Sequence, residues 1–80
     1  MLKGKVIGNI VSTKKNNKLL GCKFLKVEIE AENKYEIIVV DPVGAGVGEE
    51  VLVVTGHNAM YAFDNRNDMP IDAVIVGIID

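Results

Sequence analysis

Gly44-Ala45-Gly46-Val47-Gly48 is the segment of this 80-residue chain that first invites a chemical reading, because glycine-rich loops bring backbone N–H groups up to a phosphate. The spacing argues against that use. A dinucleotide-binding loop places its third glycine three residues after the second and opens a helix. Here Gly48 follows Gly46 by two residues and the strand-like run Glu50 to Thr55 comes next. No Lys-Ser/Thr pair follows either, which excludes a Walker-type loop, so the block reads as a tight turn that lets backbone approach backbone. Asp64, Asn65, Asn67 and Asp68 resemble a cation loop until the third position, where Arg66 breaks the register that calcium loops require. Glu28, Glu30, Glu32 and Glu36 fall on a strand pair as outward carboxylates, with nothing to separate their pKa values for acid–base work. Ser12 or Cys22 with His57 as base is a trio that any chain of this size contains by chance. One Cys and one His provide neither a disulfide nor a zinc set. The expectation is a protein that is not an enzyme and holds no cofactor or metal.

What remains is geometry, and the composition bounds it. Eighty residues make one domain, spanning 1–80, and a chain so short buries only roughly 60% of its unfolded surface. A partner subunit is then the default stabiliser. No apolar run approaches the ~20 residues that span a bilayer, and the N-terminus carries no signal-type apolar core, so the expected setting is cytoplasmic, without a membrane partner. The net charge of −2 makes nucleic acid an unlikely partner, since such binding rests on neutralising phosphates.

Valine and isoleucine supply 21 of the 80 residues, which with eight glycines favours strands divided by turns. Leu25, Val27 and Ile29 alternate with Lys26, Glu28 and Glu30 between Lys23 and Ala31, the mark of a strand with one dry face. A first strand runs from Lys3 to Thr13, with Gly8 as a bulge or bend, and the lysine-rich loop 14–21 follows. Tyr35 to Asp41, Glu50 to Thr55 and Ile71 to Asp80 read as the remaining strands. His57 to Phe63 has helical spacing behind Asn58 as N-cap, and predicts one short helix. The fold class is therefore all-β with one short helix, a small five-stranded OB-like antiparallel β-barrel.

Ile37-Ile38-Val39-Val40, Val51 to Val54 and Ala73 to Val76 are apolar on consecutive residues, hence on both strand faces, while a barrel interior takes only one. The other face calls for a neighbour, and self-association is the strongest functional inference from pattern alone.

Val11-Ser12-Thr13 before a lysine-rich loop, Leu20-Gly21-Cys22-Lys23-Phe24-Leu25, the block Asp41-Pro42-Val43-Gly44-Ala45-Gly46-Val47-Gly48-Glu49-Glu50-Val51-Leu52-Val53, and the ending Pro70-Ile71-Asp72-Ala73 through Asp80 together resemble the EutN/CcmL family of bacterial microcompartment vertex proteins. The resemblance runs in order along the whole chain. It implies a structural, carboxysome-like shell protein: a homopentamer of OB-like barrels capping the vertices of a polyhedral shell among hexameric shell proteins. It also implies that Gly44, Ala45, Gly46, Val47, Gly48 and Glu49 serve close packing within or between subunits. Where the family often shows a G-S-S-A-R-like stretch, this chain has Gly56-His57-Asn58-Ala59-Met60, so a different local contact is expected there. His57, Asn58, Lys14 and Lys15 are the candidates for shell or ring contacts. The alternative from another class is an OB-fold single-stranded nucleic-acid-binding module, with the lysines from Lys14 to Lys26 as groove and Phe24 and Tyr35 as stacking platform.

Overall fold

The computed structural model describes residues 1–10, 23–56 and 72–80. Strand β1 spans Leu2–Ile10, β2 Phe24–Ile29, β3 Tyr35–Val40, β4 Glu50–Thr55 and β5 Ala73–Ile79. They close into a barrel in the order β1-β2-β3-β5-β4. The expected strands are all present. The turn at Ala31–Asn33 and the loop after Val40 fall where polar residues and glycines interrupt the apolar patterns. The expected helix lies outside the described residues, as do Ser12, Cys22 and the 64–68 loop.

Alternation decides which side of each strand enters the core. Leu25, Val27 and Ile29 of β2, Val51 and Val53 of β4, and Val6, Val39 and Ile75 pack together inside. The intervening Lys26 and Glu28 face outward. β1 is long enough to serve two neighbours. Its first half pairs with β4, Leu2 opposite Val53, and its length from Gly4 to Ile10 pairs with β2. Between Val6 and Gly8 the register slips by one residue, so Gly8 sits at a bulge, as its position in the sequence implies. Gly4 is a different case: it is an inward position with no side chain. A Cβ there would stand 2.5 Å from Val27 Cγ1 and 2.7 Å from the Glu28 carbonyl oxygen, so only glycine lets β1 lie this close to β2.

One pairing departs from an antiparallel barrel. β3 and β5 run parallel, meeting at Val40 opposite Val74, while the other four pairings are antiparallel. The reason is parity. In a ring of five strands direction cannot alternate all the way round, so a closed barrel of five must contain a like-directed pair. In this barrel the like-directed pair is β3 and β5.

The apolar runs that promised two dry faces are only partly left open. Val40 and Val74 do not belong to the interior cluster, yet both are buried within the single chain. Leu52, Val54 and Val76 are half-buried, and Ile38 is 57% exposed.

Candidate functional site

The loop from Asp41 to Glu49 carries the densest polar network among the described residues, and one acid organises it. The Asp41 side chain is fully buried. Its Oδ1 accepts the backbone N–H of Val43 at 2.9 Å and of Gly44 at 3.0 Å, and its Oδ2 that of Ala45 at 2.7 Å. The Lys23 ammonium stands 3.6 Å from Oδ2 and donates to the Ala45 carbonyl at 2.7 Å. A buried carboxylate is tolerable only when so satisfied, and three amide dipoles with one cation achieve that. The chain reaches this arrangement because Asp41 directly follows Val40, the last residue of β3, its own N–H held by the Lys23 carbonyl at 2.9 Å. Pro42 and Gly44, the latter at φ 98°, then fold the backbone over the carboxylate.

The second half of the loop is sewn down separately. The Glu49 carboxylate accepts the Gly46 N–H at 2.7 Å, and the Glu49 N–H donates to the Gly46 carbonyl at 3.1 Å. Gly48, at φ 93°, donates to Val6 O at 2.8 Å, and Val6 returns a bond to Glu49 O at 3.0 Å. The outcome is an alternation across a non-strand segment. Ala45 is wholly buried in the barrel core, whereas its flanks Val43 and Val47 are 45% and 59% exposed. These hydrogen bonds hold Gly44 to Glu49 across one end of the barrel, with Ala45 as the residue that enters the core. Sequence reasoning placed Lys23 in a lysine cluster and Asp41 in the glycine-rich block, but did not bring the two together. The available signal was an acid at a strand end immediately before Pro and glycines, a combination that builds side-chain-closed turns.

A groove of about 540 Å³ opens elsewhere, beside the β3–β5 seam. Ile37 and Ile38 of β3, Thr55 and Gly56 at the end of β4, and Asp72 and Ala73 at the start of β5 form its described walls. It exists because β5 meets β3 only from Val40 onward, leaving the β5-facing edge of the first half of β3 without a described strand beside it. Lys26 and Glu36, paired at 2.9 Å, close one side.

The outer face of β1, β2 and β4 is charged. Lys3 lies 3.4 Å from Glu30 and 3.5 Å from Glu50, and Lys34 lies 3.9 Å from Glu28. The attraction of Glu30, reinforced by Glu50, holds the Lys3 ammonium above the ordinary lysine range.

A stacking platform of Phe24 and Tyr35 does not form. Phe24 is opposite Val40 and Tyr35 opposite Ile29, at the two ends of the β2–β3 pair, roughly 17 Å apart by strand rise. Lys23 and Lys26 are engaged by Asp41 and Glu36 rather than lining a groove between those rings. Lys14, Lys15, His57 and Asn58 lie outside the described residues. Among the described residues no helix is long and apolar enough to cross a membrane.

Barrel order, the lone parallel seam and the capped end define a small OB-type barrel whose elaborated feature is a built loop rather than a catalytic cleft. Residues 1–80 match the model of the family described as ethanolamine utilisation protein EutN/carboxysome, and the chain belongs to that family. It is 44% identical to the bacterial microcompartment shell vertex protein GrpN of Rhodospirillum rubrum, over 100% of this chain and 93% of that protein. It is 42% identical to the carboxysome shell vertex protein CcmL of Synechococcus elongatus, over 95% of this chain and 80% of that one. Among solved structures, the GrpN pentameric microcompartment shell protein superimposes with a TM-score of 0.88, covering 100% of this chain and 94% of that chain.

Proposed function

We propose that this chain is a non-catalytic structural subunit, one barrel domain over 1–80, that closes into a homopentamer and caps the vertices of a polyhedral bacterial microcompartment. The observation that carries the reading is the full-length match to a family whose relatives GrpN and CcmL, covered over 93% and 80% of their lengths, are named shell vertex proteins, with a pentameric one among the solved structures. The physical reading agrees with it. The polar groups of the loop 41–49 are spent on fixing backbone, and an 80-residue barrel that leaves Ile38, Val43 and Val47 in water gains from a partner.

The work of such a subunit is geometric. Flat layers of hexameric tiles close into a polyhedron only where five-fold units interrupt them, and a head-to-tail contact repeated by five-fold rotation supplies such a unit. Its partners are then its own copies and the edges of hexameric shell proteins, and its place is the shell within the bacterial cytoplasm. The test is co-expression of hexameric shell proteins with and without this chain, viewed by electron microscopy. Closed polyhedra that become open sheets or tubes when the chain is omitted support the reading. Equally closed shells without it overturn the reading.

A further inference from the structure

A ring closed by rotation needs two unlike surfaces on each subunit, because the head of one copy meets the tail of the next. Among the described residues two apolar features are unlike in this sense. One protrudes: Val43 and Val47, held outward on a loop whose backbone is bonded to Asp41, Glu49 and Val6. The other is concave: the groove at Ile38, Thr55 and Ala73 beside the seam. Resting on the vertex reading, we propose that the loop 41–49 of one copy seats Val43 and Val47 in the groove of the next.

Three features favour a second copy as the occupant. The loop is already ordered in the single chain, so docking forfeits little backbone entropy, which is what a repeated contact between small subunits requires. The groove's volume of about 540 Å³ exceeds that of two valine side chains, and its lining residue Ile38 is as exposed as Val47, 57% against 59%. The charges also match. Asp72 on the groove wall has no ion pair with another described residue, and the Lys23 ammonium, paired with Asp41 on its inner side and bonded to the Ala45 carbonyl, is still half-exposed next to the loop.

The test uses two surface variants, V43D/V47D for the protrusion and I38D for the groove, each with its melting temperature measured to confirm folding. Absolute mass is read by native mass spectrometry. The wild-type ring is expected at five times the 8.7 kDa chain mass, and each variant alone at the mass of one chain. An equimolar mixture is expected to form a heterodimer at twice the chain mass and no ring. The intact loop of the I38D chain has one intact groove to enter, on the V43D/V47D chain, and the next contact in the circle is blocked. A ring that persists in either variant overturns the proposed contact alone, as does a mixture that gives no heterodimer. A wild-type chain that stays single at every concentration overturns the vertex reading and the contact with it.

Discussion

The carboxylate of Asp41 accepts the backbone N–H of Ala45 across 2.7 Å, and Ala45 is the one loop residue that enters the barrel core. The two facts are coupled. The acid turns the chain back on itself after β3, and the methyl group of Ala45 closes the barrel end while its neighbours point out. A polar interaction thus determines where an apolar one occurs, and which valines stay exposed.

Replacing Asp41 by Ala removes the acceptor of three amides and the counter-charge of Lys23. The expected cost is about 3 kcal/mol in urea unfolding, in the range for a buried charged hydrogen-bond partner. Asp41→Asn, which keeps one acceptor oxygen, is expected to lose less, and hydrogen exchange at Val43 to Ala45 is expected to accelerate in both. An Ala variant as stable as the wild type would show that the loop is held by its glycines alone.

Three glycines separate two physical reasons for the residue. Gly4→Ala meets Val27 and the Glu28 backbone and is expected to destabilise by about 1–3 kcal/mol, as overpacking does. Gly48→Ala meets no atom within 4 Å, but its φ of 93° is left-handed, and about 1–2 kcal/mol is expected from strain alone. Gly8 has neither problem, so Gly8→Ala is expected to be near neutral or slightly stabilising. Thermal unfolding of the three variants ranks them, and a costly Gly8→Ala would contradict the assignment.

Lys3 gives a pH signature. Its ammonium is held by Glu30 first and Glu50 second, and its pKa is raised above 10.5. A raised lysine value means that the folded state holds the proton more tightly than the unfolded chain. The stabilisation is therefore fully present below 10.5 and is lost as pH climbs through the folded value. The stability difference between wild type and Lys3→Met is expected to be larger at pH 8 than at pH 11.5, and smaller in high salt at pH 8. Equal differences at both pH values would remove the ion pairs from the account.

Much of the barrel was legible because burial writes a period of two into β2 and a β-branched run into β4, whose bounds Glu50 and Thr55 are those the sequence implies. Gly8 was legible as a bulge or bend because a glycine inside a strand weakens the pairing at that point. The parallel β3–β5 seam was implicit in the strand count, since five strands cannot alternate around a ring. The role of Asp41 was harder to see. Its bonds reach two, three and four residues ahead, and only the folded turn shows that they converge on one carboxylate. The burial of Val40 and Val74 was hidden too, because an apolar residue facing outward looks the same in sequence whether its own chain or a neighbour covers it.

The central claim is a ring of five, and absolute mass tests it most directly. Native mass spectrometry or light scattering on the purified chain over a wide dilution series is expected to give five times 8.7 kDa throughout. A chain that stays at 8.7 kDa at all concentrations would mean that Ile38, Val43 and Val47 have no partner copy, and would contradict the account.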